Sequence, residues 1–148
     1  MAKARVEGFD DLEKLFRDLS DADAIAIEAV DKAVPVLEKS LKSAIQGAAI
    51  KGYASGELAA SIGHKPAKKN QYGVFSVVLP VGTDSKGVSN AKKAAILEFG
   101  RRGGYPDGNG RTVTAQEARH YRQSAIDAAK NECEEIMRKA VYEKIDGM

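Results

Sequence analysis

Apolar side chains recur every three or four positions over two long stretches of the chain, which is the spacing of one face of an α-helix. The first stretch carries Val30, Val34, Leu37, Leu41, Ala44, Ile45 and Ala48. It predicts an amphipathic helix that is capped by Ser20, with Asp23 at the third helical position, and that ends near residues 47–52. Pro35 lies inside this stretch, where proline removes a backbone hydrogen bond and clashes with the preceding turn, so a kink or a break is expected.

The second stretch lies near the C-terminus and carries Ala118, Tyr121, Ala125, Ala129, Cys133, Ile136, Ala140 and Val141. Thr114 and Glu117 have the spacing of a capping box, so this helix is predicted to begin there and to run to about Ile145. Roughly thirty residues correspond to about 45 Å, which spans or exceeds a domain of this size. Because its apolar stripe is rich in alanine and buries little area, we expect the helix to pack on a partner.

Shorter patterns predict the remaining helices. Residues 5–9 are read as an extended segment, and a helix over residues 10–19 would align Leu12, Leu15, Phe16 and Leu19. Ser55 is predicted to cap a short helix over residues 56–62, and Asn90 to open another over residues 91–99. Gly100 suits the left-handed position just past the end of that second short helix.

Two segments favour extended structure. Residues 72–83 are β-branched and aromatic, which predicts one strand buried on most of both faces, with Pro80 near a sheet edge. The glycine-rich residues 101–113 are predicted to form either a β-hairpin tip or a mobile loop, and both interpretations leave them exposed. The basic residues 64–70 are predicted to form an exposed loop.

The charge of the chain is unevenly distributed. The length of 148 residues predicts a single domain. The net charge of the chain is +2. Residues 1–31 carry a net charge of −5, residues 32–122 carry +9 and residues 123–148 carry −2. Such a chain can present opposite signs to neighbouring copies, which favours head-to-tail association, although the charges can equally serve to solvate separate faces.

The sequence offers little chemistry for catalysis or cofactor binding. His64 and His120 have no second ligand at a metal-binding spacing, and His120 with Ser124 is more typical of a surface pair than of a catalytic one. The acidic neighbours of Cys133 raise the pKa of its thiol, which favours a small packing residue over a nucleophile. No phosphate-binding loop, signal peptide or membrane-spanning run is recognised, so we expect neither an enzyme nor a bound cofactor, and no membrane partner.

Arginines are concentrated around the glycine-rich segment and the residues that follow it. The cluster comprises Arg101, Arg102, Arg111, Arg119 and Arg122, interleaved with Tyr105 and Tyr121. These side chains could contact DNA phosphates, each of which would steepen the salt dependence of binding. The absence of a nucleic-acid-binding motif and the acidic residues beyond Asp127 favour salt bridges between subunits instead.

Three short motifs, taken in their order along the chain, resemble a known family. They are Val6-Glu7-Gly8-Phe9, Ser55-Gly56-Glu57-Leu58 with Ser61-Ile62, and Glu98-Phe99-Gly100. In this order they resemble the tail-completion proteins of long-tailed bacteriophages, which are also described as head-tail joining or minor tail components. The resemblance implies a structural virion protein of the tail or neck, assembled in the cytoplasm of the bacterial host.

The resemblance also implies an architecture and a set of partners. It implies an α+β fold, in which a small antiparallel β-sheet packs against a long kinked N-terminal helix and a long C-terminal helix. The subunits would form a ring, expected to be a hexamer, that joins the tail tube or its terminator to the head-tail connector, with possible DNA contact in the channel. The residues expected at subunit or partner contacts are Glu98, Phe99, Gly100, Arg101, Arg102, Tyr105, Arg111, Arg119, Arg122, Lys65, Lys68 and Lys69. The alternative is a small DNA-binding or regulatory module that uses the arginine cluster at residues 101–122.

Overall fold

The computed structural model of the chain describes residues 21–49 and 56–147. Within these ranges the elements are, in order, α1 (Ala22–Ala48), α2 (Glu57–Ala60), β1 (Ile62–His64), β2 (Lys68–Asn70), β3 (Gly73–Phe75), β4 (Val78–Pro80), α3 (Asn90–Phe99) and α4 (Tyr121–Asp146). The elements predicted over residues 5–19 and the caps predicted at Ser20 and Ser55 lie outside the described residues.

The first long helix, α1, forms where the apolar periodicity predicts it. Asp21 occupies its N-cap position, and Asp23 places a negative charge in its first turn, where the helix dipole favours one. The helix ends at Ala48, inside the predicted range. It runs through Pro35 as one continuous helix, so the predicted alternative of a break is wrong. Pro35 is exposed, and its ring therefore displaces no core side chain.

The second long helix, α4, begins later than predicted. It spans Tyr121–Asp146, 26 residues or about 39 Å, and follows His120 in a left-handed conformation with φ 48°. The capping box at Thr114 and Glu117 is not used, because the backbone of this segment is bonded elsewhere. Gln116 exchanges two backbone hydrogen bonds with Arg101, and the amide of Arg119 donates to the Leu97 carbonyl over 2.8 Å.

The two long helices pack side by side and antiparallel. Their alignment is shown by the Ser40 hydroxyl donating to the Ala125 carbonyl over 2.8 Å, the Cys133 thiol donating to the Ala33 carbonyl over 3.6 Å, and the Lys144 ammonium lying 2.9 Å from the Glu28 carboxylate. The buried residues along this contact are Ala29, Ala33, Val34, Ala125 and Ala129. We call the four alanines among them the alanine seam. The partner that the C-terminal helix was expected to need is therefore supplied, over much of its length, by α1.

A second layer covers the C-terminal half of α1 and completes the core. The buried residues of this core are Ile45, Ala59, Ile62, Ala94, Leu97 and Tyr121. They come from α1, α2, β1, α3 and α4, so each of the helices in the described ranges contributes to this core. Helix α3 is capped by Ser89, whose hydroxyl accepts from the Lys92 amide, one residue before the predicted Asn90.

The strands form one long hairpin rather than the predicted single strand at residues 72–83. In β1 and β4, Ile62 lies opposite Pro80 and His64 opposite Val78, whereas in β2 and β3 Lys68 lies opposite Phe75. Three residues separate β1 from β2 and only two separate β3 from β4, so one extra residue forms a bulge at residues 65–67. The short helix α2 ends at Ala60, and Ile62, predicted to be helical, instead begins β1.

The arrangement is an α+β fold, as the resemblance implies, with a small antiparallel β region packed against two long helices. Both two-stranded sheets contact α1, and β4 also contacts α3. None of the helices in the described part of the chain is long and apolar enough to cross a membrane.

The alanine seam yields a stability prediction. Ala129 is buried in the seam and Ala128 is exposed on the same helix. We expect Ala129→Leu to force α1 and α4 apart and to lower the free energy of unfolding by about 1–3 kcal/mol. Ala128→Leu should change it by less than about 0.5 kcal/mol. Urea unfolding followed by circular dichroism measures both, and equal effects for the two substitutions would contradict close packing at Ala129.

Candidate interaction surfaces

The Glu98-Phe99-Gly100 corner joins the end of α3 to the start of α4. The side chain of Glu98 is buried, with 7 % of the residue exposed, and its Oε2 accepts from the backbone amide of Arg122 over 3.0 Å. The carbonyl of Glu98 also accepts from the amide of His120 over 3.3 Å. A carboxylate in this position satisfies one of the free amides in the first turn of α4 and complements the helix dipole. Glu98 is therefore turned into its own subunit, away from any neighbouring surface.

Phe99 points the other way. It is 66 % exposed, and the guanidinium of Arg122 lies 5.6 Å from the centre of its ring. A cation over an aromatic face at this distance is attracted by the ring quadrupole. The pair therefore presents an aromatic surface and a planar charged group together at the start of α4.

Gly100 allows the chain to turn sharply out of α3. Its φ of 76° and ψ of −176° lie in a region that is essentially restricted to glycine. A Cβ at this position would lie 2.7 Å from the Gln116 carbonyl oxygen and 2.8 Å from the Ala118 amide nitrogen. The sequence prediction of positive φ is confirmed, and the close approach adds a packing reason for glycine.

Residues 101–116 form the hairpin that was one of two predicted alternatives. Arg101 pairs with Gln116 and Pro106 with Thr112, and the Val113 amide donates to the Tyr105 carbonyl over 2.8 Å. Asp107 closes the tip, since its Oδ1 accepts from the amides of Asn109 and Arg111, both over 2.8 Å. We call this segment the arginine hairpin. Its tip extends roughly 16 Å from Arg101, at about 3.3 Å per residue.

The arginines of the cluster make no ion pair with any residue that the structure describes. Among the described residues, every ion pair between a basic side chain and a carboxylate involves lysine or histidine. Arg101 donates from Nε to the Thr114 carbonyl over 3.0 Å, which stabilises the arginine hairpin. Arg102, Arg111, Arg119 and Arg122 are all exposed, and Tyr105 is nearly half exposed. The predicted arginine cluster thus consists of one structural arginine and four with no carboxylate partner in the described chain.

The basic residues 64–70 form part of a strand pair and are tied to α1, where a loop had been predicted. The Ala67 amide donates to Asp31 over 2.6 Å, and the Lys69 ammonium pairs with Asp23. The Lys68 ammonium lies 5.4 Å from the centre of the Phe75 ring. Of the three lysines predicted to contact partners, two are therefore engaged within the subunit, and Lys65 lines an open depression of about 240 Å³ at the bulge.

The carboxylates on α1 that hold this hairpin were not identified from the sequence as functional or structural partners. Asp23, Asp31 and Glu38 are spaced by eight and seven residues, close to two helical turns each, so they share one face of α1. Glu38 Oε2 lies 2.5 Å from His64 Nδ1, and its Oε1 lies 2.5 Å from the Lys42 ammonium. Hydrogen bonds from Lys42 first, and from His64 second, hold the pKa of the Glu38 carboxyl below its usual value.

The structure separates the two basic surfaces that the sequence grouped as contact regions. The start of α4 lies beside Ser40, whereas Lys69 lies beside Asp23 near the other end of α1. Ser40 and Asp23 are seventeen positions apart, or about 26 Å along the helix. The exposed Tyr72, at 87 %, marks the turn of the β2–β3 hairpin at the end occupied by Lys69. A partner that contacts both regions must therefore extend about 26 Å along the helix pair.

Little in the described part of the chain resembles a reaction centre. Within residues 21–49 and 56–147, no group of three His, Cys, Asp or Glu side chains could hold a metal ion. The Cys133 thiol packs against α1, and burial first and the charge of Glu132 second raise its pKa. His120 is exposed and forms the left-handed N-cap of α4. That the protein is not an enzyme remains a prediction.

The corner yields a prediction about Gly100. Gly100→Ala adds both the strain of an unfavourable backbone conformation and a contact of 2.7 Å with Gln116, so we expect it to lower the free energy of unfolding by about 2–4 kcal/mol. Gly104→Ala is the matched control, because Gly104 has φ 82° but open space around a new Cβ. It should cost about 1–2 kcal/mol, from strain alone. Thermal unfolding measures the loss of stability in both variants. Equal losses would show that the close approach to Gln116 does not contribute to the destabilisation.

Glu38 yields a prediction about pH. Because its pKa is lower in the folded protein than in the unfolded chain, ionised Glu38 stabilises the fold above about pH 4.3, and this contribution is lost as the pH falls through the folded pKa. Glu38→Gln should therefore destabilise the protein at pH 7, and the difference from wild type should shrink as the pH falls below the ordinary pKa of a glutamate and through the lowered pKa of Glu38 in the folded protein. In a Lys42→Gln background the same substitution should have a smaller, flatter effect. Urea unfolding across this range measures it, and a pH-independent difference would contradict the assignment.

Comparison with known proteins adds no relative on which a function could be based. No protein-family model matches the chain, no curated protein matches it, and no solved structure matches it. The case for a function rests on the residues of this chain and on their geometry.

Proposed function

We propose that the chain is a structural virion protein of a tailed bacteriophage, a tail-completion or neck component that forms a ring and joins the tail tube to the head. The observation that carries the proposal is the exposed corner at the start of α4. There, Phe99, Arg119 and Arg122 are exposed, and Arg102 and Arg111 are exposed on the adjoining arginine hairpin. None of these four arginines has a carboxylate partner in the described chain. Arginine and aromatic side chains are the residues most enriched at the centres of protein interfaces.

The shape of the subunit supports the same function. The arginine hairpin leaves the body at one end of the helix pair, and the β2–β3 hairpin ends near the other, about 26 Å away along α1. A ring subunit has to contact two lateral neighbours and the rings above and below it, so it needs separate surfaces at its ends. The order of the three motifs, Val6 to Phe9, Ser55 to Ile62 and Glu98 to Gly100, supplies the link to tail-completion proteins in particular.

In this function the subunit would assemble in the host cytoplasm and remain in the virion. The ring, which we expect to be a hexamer, would contact the tail tube or its terminator on one side and the head-tail connector on the other. The arginine hairpin, with Arg102, Tyr105 and Arg111, would make these contacts, while Glu98, Gly100 and Arg101 maintain the shape of the corner. Lys69 would hold the β2–β3 hairpin against α1, and Lys68 would pack over Phe75 within the hairpin. Lys65 would remain available to a partner.

A second function is favoured by one observation. Four exposed arginines without carboxylate partners, close to exposed Phe99 and Tyr105, also suit the phosphates and bases of DNA. The protein would then be a small DNA-binding or regulatory module. DNA binding of this kind would weaken steeply as the salt concentration rises, and would not require the protein to form a ring.

One experiment separates the two functions. Tail tubes from the phage or prophage that encodes the chain, assembled without it, are mixed with the purified protein and imaged by negative stain. We expect rings or added density confined to one end of each tube. Arg102→Glu with Arg111→Glu should reduce this decoration at least ~10-fold, because it places like charges at the contact. Lys39→Glu with Lys86→Glu, an equal charge change at exposed residues elsewhere, should leave the decoration intact.

Two other outcomes of this experiment would contradict parts of the proposal. A protein that ignores the tubes, remains monomeric by light scattering and binds a DNA fragment in a salt-sensitive way would overturn the tail-completion function in favour of the DNA-binding one. Decoration that survives the change at Arg102 and Arg111 would instead exclude the arginine hairpin from the contact and leave the tail function in place.

A further inference from the structure

We propose that residues 10–19 of the chain cover an apolar face of its own helix pair, towards the start of α1. The contacting side chains are Leu12, Leu15, Phe16 and Leu19. The face, which we call the open face, comprises Ile27, Val30 and Leu37 of α1 with Met137, Val141 and Ile145 of α4. The inference goes beyond the proposed function and does not depend on it.

The described structure covers this half of the helix pair thinly. The residues that α1 contributes to the buried core lie between Leu41 and Ala48. Nearer to its start, α1 packs against α4 and the β2–β3 hairpin. The residues of the open face are half-buried, apart from Ile145, which is 55 % exposed. Within residues 21–49 and 56–147, only five apolar side chains larger than alanine are buried, so covering the open face would add substantially to a small core.

The residues of the open face lie on one side of the helix pair. The Cys133 thiol contacts the backbone of Leu37 as well as the Ala33 carbonyl, which is 3.6 Å away. The α4 residues of the open face follow Cys133 at intervals of four, so they continue along one line of that helix. On α1, the other two residues lie seven and ten positions before Leu37, close to two and three helical turns. Because the helices are antiparallel, the two lines run side by side towards the start of α1.

The opposite side of the helix pair is polar. There, the Glu28 carboxylate lies 2.9 Å from the ammonium groups of both Lys32 and Lys144. Glu28 follows Ile27 by one position, which turns it by about 100° around the helix. An apolar segment that packs on the pair therefore fits the open face and not the side that carries these ion pairs.

The sequence supplies an occupant at the right end of this face. Asp21 is the N-cap of α1, and twenty residues precede it. The large apolar residues at positions 12, 15, 16 and 19 have the spacing of one face of a helix. A helix over residues 10–19 would be about 15 Å long, against about 21 Å along α1 from Asp23 to Leu37. Ser20 and Asp21 are enough to connect two antiparallel helices, since such connections commonly have two to eight residues.

The attached segment has an advantage over the same segment of a second copy. A short connection holds it beside the open face at an effective concentration in the millimolar range, whereas a second copy must bind from solution. Coverage by the chain itself also removes the open face from the surfaces that a neighbouring subunit can use. The corner and the arginine hairpin then remain as the surfaces available to other molecules.

The test is a pair of double-mutant cycles in the full-length protein. Phe16→Ala with Leu19→Ala, which we call the segment variant, removes two contacting side chains, and Val141→Ala removes one from the open face. Val78→Ala is the matched control, because Val78 is also half-buried but packs against the core at the other end of α1. Urea unfolding followed by circular dichroism gives the folding equilibrium constant of each variant.

Three results are expected. The segment variant should have a folding equilibrium constant at least ~10-fold below that of wild type, since it removes large apolar side chains from a buried contact. Val141→Ala should lower the constant about 10-fold in wild type but at most ~3-fold in the segment variant, where its contact is already lost. Val78→Ala should lower it by the same factor, within about 2-fold, in both backgrounds. If the segment variant does not fold, Leu19→Ala alone replaces it in both cycles.

Other outcomes would overturn the inference. Equal factors for Val141→Ala in the two backgrounds, or a segment variant as stable as wild type, would show that residues 10–19 do not cover the open face. Sedimentation at the same protein concentrations identifies the source of the segment. A monomer that shows the coupling supports the contact within one chain, whereas coupling that disappears on dilution together with a dimer would assign the open face to a second copy. Tube decoration is a separate measurement, so the proposed tail function and this contact can fail independently.

Discussion

The antiparallel contact between α1 and α4 is the constraint on which the other parts of the structure depend. Four alanines make the contact close, and the Ser40, Cys133 and Lys144 interactions fix the relative position of the helices. Because α4 is positioned this way, its first turn meets the end of α3 and buries Tyr121 in the core. The corner and the arginine hairpin both take their places from that one alignment. Because alanine buries little apolar area per residue, α1 and α4 are held together by close approach over a long contact rather than by large side chains.

The sequence predicts the long helices well because their apolar periodicity is a local signal that tertiary contacts reinforce. It fails at the start of α4, where a good capping box at Thr114 and Glu117 loses to pairing between Gln116 and Arg101. The backbone of that segment satisfies its hydrogen bonds across the fold, which no local pattern records. The uniform composition of residues 72–83 likewise predicts one strand, because the bulge that divides the hairpin lies on the facing strand at residues 65–67.

The sequence locates the candidate contact residues, but it does not separate those that stabilise the fold from those that are exposed. Exposure of Phe99 and of four arginines follows the prediction, whereas Glu98 and Arg101 serve the fold. The bond between the Glu98 carboxylate and the Arg122 amide joins residues twenty-four positions apart, so neither propensity nor spacing could indicate it. The partners of the basic hairpin on α1 were detectable in principle, because three acids recur there at two-turn intervals. Charge by itself does not distinguish acids that hold the fold from acids that make no contact within the described residues.

The bulge at residues 65–67 changes which residues of its own strand lie on the side that faces α1. Side chains alternate along a strand, and before the bulge the even-numbered Ile62 and His64 turn towards the helix. One extra residue reverses this alternation, so beyond the bulge the odd-numbered Lys69 is the one that reaches the α1 carboxylate at Asp23. On the facing strand, which carries no extra residue, the parity is unchanged. Loss of a single residue here would leave Lys68 opposite Phe75 and Lys69 opposite Val74, so Lys69 would keep its place beside α1 and the local bend of the strand would be lost. The bulge therefore lets an even-numbered histidine and an odd-numbered lysine share one face of the hairpin, a change of phase that a strictly alternating strand could not accommodate.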